Sequence, residues 1–393
     1  MFKRFVAYAA ALPLLVSLAL PASAAEPQEK AASFSPSVDK QTAPKELIVH
    51  FKDSVTNTAA KEIVSKNGGQ ITDKSDHFYV VKVNSSSTND AVEKYENLNT
   101  VEYAEPNATF HATYVPNDPF YKTQQYAPQK VAAEQAWDVT QSSSSVKIAV
   151  VDTGVDYNHP DLEGKVIKGH DFVADDENPI DENEHGTHVA GIAAANTNNG
   201  VGVAGLAPKA SILAVRVLDA EGSGSLDDVA QGIRYAADQG AQVINLSLGG
   251  NLGTKTLEDA VNYAWNKGSV VVAAAGNSGV ALPSYPAYYE NAIAVAATDQ
   301  NDQKASFSNF GTWVDIAAPG VDIYSTIPLN RYASFSGTSM ASPVVAGVAG
   351  LLAAQGKNAS QIRSALESTA DPITGTGTLF QNGRVNAAKA VQQ

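Results

Sequence analysis

Ser339 lies in the run Gly337-Thr338-Ser339-Met340-Ala341-Ser342-Pro343, which opens a long small-residue helix expected over Val344–Ala354. A serine at a helix start has free backbone N–H groups and the positive end of the helix dipole beside its hydroxyl. That setting suits a nucleophile, although an ordinary N-cap serine occupies the same kind of position. A nucleophilic serine needs a base. The chain has seven histidines, and none follows Ser339. The serine, acid, histidine order of α/β-hydrolases is therefore excluded, and the elbow pattern G-x-S-x-G fails at Ala341. The best upstream base is His185, in His185-Gly186-Thr187-His188-Val189-Ala190-Gly191. Gly186 permits close approach, and the small apolar residues after it start a buried helix. His188, three residues on, shares that helix face. A zinc site built on the two histidines lacks the glutamate of H-E-x-x-H and an obvious third ligand, so His188 reads as a packed, hydrogen-bonded structural residue.

A carboxylate must orient the imidazole. Lys147-Ile148-Ala149-Val150-Val151-Asp152-Thr153-Gly154 reads as a buried strand ending in Asp152, at the edge where open α/β sheets build their sites. The competing reading of Asp152-Thr153-Gly154 is half of an aspartic-protease dyad, but no second D-T-G or D-S-G occurs. The stretch Ser269–Ala275 is a strand leading into Gly276-Asn277-Ser278-Gly279. The Asn277 amide can stabilise an oxyanion beside the Ser339 N–H; alone it would read as a turn asparagine.

These residues need a scaffold. Val146–Asp152, Ser211–Asp219, Gln242–Gly249, Ser269–Ala275, Ala292–Thr298 and Trp313–Ala317 are nearly continuous apolar runs, the pattern of strands covered on both faces. Helical stretches Gly186–Ala195, Ser225–Gln239 and Thr256–Lys267 alternate with them. The expectation is one doubly wound, mostly parallel α/β domain. Before it, strands at Glu46–Phe51, Phe78–Val83 and Val101–Glu105 and helices at Asn57–Asn67 and Asn89–Asn97 predict a small ferredoxin-like α+β module. Residues 25–44 and Asn107–Thr113 read as linkers.

The N-terminal 24 residues carry Lys3 and Arg4, an apolar run Phe5–Leu20 and then Ala22-Ser23-Ala24, the pattern of a secretory signal cut after Ala24. An exported chain of 393 residues with no cysteine must be stabilised by core size, rigidity or metal, and thiolate chemistry is excluded. The net charge of −14 argues against nucleic acid and anionic membranes as partners. Eleven Asp and Glu residues lie between Asp152 and Glu184, a density that calls for solvent or a cation.

In order and local sequence, Asp152-Thr153-Gly154, His185-Gly186-Thr187-His188, Ala275-Gly276-Asn277 and Gly337-Thr338-Ser339-Met340-Ala341 resemble the subtilisin family of serine endopeptidases. The likeness spans Tyr114–Gln393, and Tyr114–Pro119 with Ala260–Asn277 places it nearest the thermitase branch. The alternative is a catalytically dead relative acting as a binding or chaperone-like module; such relatives usually lose a triad or oxyanion residue, and none is lost here. The resemblance implies an Asp152–His185–Ser339 triad with Asn277 as oxyanion donor. It implies a specificity pocket walled by Ser247, Leu248, Gly249, Gly250, Ala275 and Gly276, with Gly222, Ser223 and Gly224 pairing with substrate as an added strand. Broad specificity for protein and peptide substrates follows. It also implies Ca2+: a first site from Asp118, Asp161 and Asn199 side chains with carbonyls of Asn196, Val201 and Val203. A second site would use Asp171, Asp176 and Asn178, where Ala174 and Ile180 replace oxygen ligands. Glu46–Pro106 resembles the family's inhibitor-like propeptides. The expected organisation is a signal at 1–24, a propeptide at 25–113 and a catalytic domain at 114–393. The product is a secreted, self-processing monomer, inhibited by its own propeptide and free of nucleic acid and, once the signal is gone, of membrane.

Overall fold

The computed structural model describes residues 46–76, 78–84, 88–108 and 115–393. The leader, the first linker, His77, the Phe110–Thr113 tail and the expected mature start at Tyr114 lie outside the described residues.

The front module runs β1 (Glu46–Phe51), α1 (Asn57–Lys66), β2 (Gly69–Lys74), β3 (Tyr79–Val83), α2 (Thr88–Glu96) and β4 (Val101–Pro106). Thr56 caps α1 by accepting from the Ala59 N–H. The strands pair antiparallel in the order β2-β3-β1-β4, the ferredoxin-like arrangement. Alternate strand residues Leu47, Val49, Phe51 and Val81 bury against Ala60, Val64 and Tyr95 of the helices. Reading the sequence for strands misses β2. It is an edge strand of sequence GQITDK without a buried residue, so it lacks the apolar signal that marks the others.

The second part begins with α3 (Ala127–Lys130), α4 (Ala133–Val139), β5 (Lys147–Asp152), β6 (Val166–Asp171) and α5 (His185–Ala194). It continues with β7 (Ser211–Arg216), α6 (Leu226–Asp238), β8 (Val243–Leu246), α7 (Lys255–Asn266), β9 (Val270–Ala274), β10 (Ala292–Thr298) and β11 (Ile316–Pro319). The hairpin β12 (Ile323–Ile327) and β13 (Arg331–Phe335) precedes α8 (Thr338–Ala354), α9 (Ala359–Ser368) and α10 (Ala387–Val391). The central sheet is seven-stranded and parallel throughout, in the order β11-β10-β9-β8-β5-β7-β6.

Because side chains alternate across a strand, Ile148 and Val150 of β5 enter one apolar layer with α5 and α8, while Ala149 and Val151 enter the other with α6 and α7. That double covering produces the continuous apolar runs. The chain leaves β5 for β6 and β7 on one side and then crosses to β8 on the other. The switch point therefore lies at the carboxyl ends of β5 and β8, where such sheets bind ligands. One expectation needs correction: the last long helix starts at Thr338, and Pro343 lies inside it rather than before it. No helix of the described residues is long and apolar enough to cross a membrane.

Candidate active site

Asp152 is the last residue of β5 and is fully buried. Its Oδ1 lies 2.7 Å from His185 Nδ1 and accepts the Thr153 N–H at 2.7 Å. Its Oδ2 is buried with no partner among the described residues. With Nδ1 donating to the carboxylate, His185 Nε2 is left as an acceptor, the form a general base needs. His185 opens α5, and this start is held by a second buried carboxylate. Asp181 Oδ1 accepts Thr153 Oγ1 at 2.8 Å, and its Oδ2 accepts Thr187 Oγ1 at 2.6 Å and the Thr187 N–H at 2.9 Å. Thr153 Oγ1 in turn accepts the Gly186 N–H at 2.9 Å. At Gly186, a Cβ would stand 2.0 Å from the Gly154 carbonyl oxygen, so only glycine lets the helix start touch the strand end.

Burial alone would lower the His185 pKa. The Asp152 charge and hydrogen bond, with a further contribution from Asp181, outweigh it and leave the imidazole above its ordinary 6.5. His188 goes the other way. Burial pushes it down to about 3, its Nε2 donates to the Ala333 carbonyl at 3.0 Å, and its ring stacks on Phe335. It is the packed structural histidine expected from the sequence.

Ser339 is the second residue of α8. Pro343 has no N–H to give the Ser339 carbonyl, the bond an α-helix would otherwise make there. Ser247, just past β8, supplies it: Ser247 Oγ donates to the Ser339 carbonyl at 2.6 Å. Ser339 Oγ donates to the Ser247 carbonyl at 3.1 Å rather than to the imidazole. Asn245 completes the mount, donating from Nδ2 to Ser247 Oγ at 2.9 Å and accepting Ser342 Oγ at 2.8 Å. Asn277 follows β9 by three residues. Its Oδ1 accepts the Thr338 N–H at 2.8 Å and Thr338 Oγ1 at 2.9 Å, which fixes the amide and leaves Nδ2 for a ligand. Sequence reasoning gives no mounting role to Thr153, Asp181, Thr187, Asn245, Thr338 or Ser342. Thr153, Thr187, Thr338 and Ser342 stand inside the motif runs, and Asp181 and Asn245 lie within four residues of His185 and Ser247.

A cavity of about 620 Å3 opens beside His185. Gly222, Ser223 and Gly224 lie on its wall with Ser247, Leu248, Gly249 and Gly250, and Leu218, Leu226, Val229 and Leu257 make an apolar end. Ala275 and Gly276 do not line this cavity. Their place is under the Asn277 turn, where the Gly276 N–H donates to Thr338 Oγ1 at 3.0 Å and the Ala275 carbonyl accepts Asn309 Nδ2 at 2.9 Å.

Away from the cleft, the loop containing Asn196, Asn199, Val201 and Val203 wraps two buried carboxylates. Asp161 Oδ2 accepts the Val203 N–H at 2.7 Å and Oδ1 accepts Asn199 Nδ2 at 2.8 Å. Asp118 Oδ2 accepts the Asn198 N–H at 2.7 Å. Burial raises both acids, Asp161 to about 6 with the Asp118 charge contributing, and neither has an ion pair among the described residues. Gly202 has φ +53°, and a Cβ there would stand 2.3 Å from Asp161 Oδ2. The stretch with Asp171, Asp176 and Asn178 is different. Asp171 Oδ2 ion-pairs with Arg216 at 3.0 Å, and its Oδ1 accepts two loop N–H groups. Asp176 accepts the Asn178 N–H at 2.7 Å. No group of three or more His, Asp or Glu side chains is arranged to hold a metal among the described residues.

A sheet whose strand ends present an acid–imidazole pair and a helix-borne serine defines a class of hydrolase, and comparison with known proteins fixes the family. The chain matches the Subtilase family over residues 143–388 and the fervidolysin N-terminal prodomain over residues 29–107. It is 67% identical to thermitase of Thermoactinomyces vulgaris over 279 residues, covering 71% of this chain and all of that protein. It is 59% identical to a thermophilic serine proteinase of Bacillus sp. strain AK1, covering 88% of this chain and 87% of that protein. A solved protease from Pseudoalteromonas arctica superposes with a TM-score of 0.64 at 33% identity, covering 71% of this chain and 99% of that one. The chain belongs to the subtilase family: it is a serine endopeptidase, closely related to thermitase, with an N-terminal prodomain.

Proposed function

We propose that the protein hydrolyses peptide bonds with Ser339 as nucleophile, His185 as general base and Asp152 as the group that orients it, with Asn277 as oxyanion donor. The observation that carries this reading is the 2.7 Å bond from His185 Nδ1 to a buried carboxylate, which leaves Nε2 as the acceptor. On substrate binding the Ser339 hydroxyl turns from the Ser247 carbonyl to that nitrogen. As Oγ attacks the scissile carbonyl, Nε2 takes its proton, and Asp152 stabilises the imidazolium. Asn277 Nδ2 and the Ser339 N–H hold the oxygen as it becomes negative. The imidazolium then protonates the departing amine, and water repeats the sequence on the acyl-enzyme. Glycine-edged walls at Gly222–Gly224 and Ser247–Gly250 favour main-chain pairing, which is indifferent to most side chains. This supports broad specificity. The test is labelling with a fluorophosphonate followed by peptide mapping. The expected label sits on Ser339, is lost in Ser339→Ala and is slowed in His185→Ala; casein digestion by an unlabelled enzyme would refute the assignment.

The same reading assigns 1–24 to a secretory signal, 25–113 to the prodomain and 114–393 to the catalytic domain of a secreted, monomeric enzyme that cuts itself free. Ser339→Ala should then accumulate uncut precursor in a protease-deficient host, and normal processing there would assign the cut to another protease.

Ca2+ fits the first loop site. Two buried carboxylates with no ion pair among the described residues, beside an amide and a tight glycine turn packed against Asp161, suit a hard cation with oxygen ligands. The side chains of Asp118, Asp161 and Asn199 with the carbonyls of Asn196, Val201 and Val203 would hold it. In the second stretch, the same ion would have to share Asp171 with Arg216. Binding only to the folded form would stabilise it by about 2.7 kcal/mol at a hundredfold excess over Kd. Chelation with EDTA should therefore shorten the half-life at elevated temperature, with calcium restoring it; an unchanged half-life would remove calcium from the account.

A further inference from the structure

Glu184, the residue directly before His185, has φ 104° and ψ −24°. Glycine takes that backbone freely, whereas a residue with a Cβ is strained in it. Its contacts hold it there. The Glu184 N–H donates to Asp181 Oδ1 at 3.0 Å, and the Glu184 carbonyl accepts the His188 N–H at 3.1 Å. Its carboxylate reaches across to Arg331, with Oε1 2.7 Å from Nη2.

Arg331 starts β13 and is itself fixed. Its carbonyl lies 3.1 Å from His159 Nε2, while His159 Nδ1 accepts the Asp161 N–H at 3.1 Å. Arg331 Nε donates to the Pro328 carbonyl at 3.1 Å, closing a turn in which Leu329 and Asn330 also have positive φ. Elsewhere the hairpin grips the first turn of α5 from the side. Ser325 Oγ donates to the His188 carbonyl at 2.8 Å, and Thr326 Oγ1 donates to the Thr187 carbonyl at 2.8 Å.

We propose that Glu184 and Arg331 are positioning residues, an electrostatic latch from the β12–β13 hairpin that keeps the backbone before His185 in its strained form and so aims the imidazole. The pair is 40% and 53% exposed, which in a loose setting would make it nearly worthless. Here both main chains are already anchored, so little further ordering is needed to form it. The proposal rests on His185 being the base. Loss of fluorophosphonate labelling in the parent enzyme would strike that reading, while the comparison below strikes only the latch.

The experiment measures kcat and KM of the mature enzyme on a soluble peptide anilide for E184A, E184G, R331Q and the double variant E184G/R331Q, with circular dichroism to establish folding. E184A keeps the strain without the anchor, so kcat should fall by about three- to tenfold with KM held. Glycine relieves the strain, so E184G should fall less than E184A. R331Q should lower kcat in the parent and have little effect when combined with E184G. Added salt should lower kcat of the parent more than that of the double variant. Equal losses for E184A and E184G, or the same R331Q loss in both backgrounds, would overturn the latch and leave the hairpin as packing alone.

Discussion

A base that takes the Ser339 proton must enter the reaction neutral. Burial lowers the His185 pKa, and the Asp152 charge and hydrogen bond raise it further than burial lowers it, so the imidazole titrates above 6.5. The value of kcat/KM should be level on the alkaline side and fall as the pH drops through that raised value, with a slope of one proton. Asp152→Asn should move the inflection down and lower kcat by about ten-thousandfold, the loss known for such a triad change. Initial rates on a soluble peptide across pH decide this; a parent inflection at or below 6.5 would contradict the pairing. Three residues along the same helix, His188 shows that position in sequence does not set this behaviour. No carboxylate among the described residues bonds to it, and burial keeps it neutral. Asp152, His185, Asn277 and Ser339 can be singled out in the sequence because each stands in a short motif with a glycine one or two residues away. The residues that mount them cannot. Asp181 and Thr153 look like ordinary loop polar groups until Thr153 Oγ1, Asp181 and the α5 start are seen to meet.

Among the elements, α8 carries the largest departure from sequence expectation. A proline six residues into a helix should end or bend it, because the carbonyl four residues earlier loses its donor. That carbonyl belongs to Ser339, and the Ser247 hydroxyl takes over as its donor. The helix therefore continues through Pro343, and the end of β8 is tied to Ser339. Ser247→Ala should leave that carbonyl without a donor at a cost of about 1–3 kcal/mol. Thermal unfolding in the Ser339→Ala background, where self-digestion cannot interfere, reads the stability loss, and kcat of the otherwise native enzyme should fall with it. No change in either would mean that the bond is not a mount. The interior strands were legible because covering on both faces makes them apolar throughout, as in β9 and β10. Edge strand β6, with its first three residues incompletely buried, carries no such signal. Neither does β13, where none of the five residues is buried; its role comes from what it grips.

At the scale of the molecule, a chain without cysteine needs other ties between distant segments. One is a charge network. Arg384 binds Asp302 and Asp371, Asp302 also meets Lys130 at 2.9 Å, and Asp371 also meets Lys389 at 2.6 Å. It links α3, the turn after β10 and the segment leading into α10, which are far apart in sequence. Desolvation would raise the Asp371 pKa, but hydrogen bonds from Lys389, Asn386 and Arg384 hold it below 3.8. A depressed carboxylate pKa adds stability that is fully present above the unfolded value and lost as the pH falls through the folded one. The contribution should therefore hold through the neutral range and disappear below about pH 4. Arg384 is 11% exposed, so Arg384→Gln leaves two shielded carboxylates short of a partner at about 1.5–3 kcal/mol. The Lys255–Asp259 pair, 75% and 54% exposed, is the control: screening makes it worth little. Half-lives at elevated temperature and neutral pH should shorten for Arg384→Gln and stay level for Lys255→Gln. Below about pH 4 the Arg384→Gln effect should shrink as Asp371 takes up its proton. Equal half-lives for the two variants at neutral pH would show that the network holds nothing together.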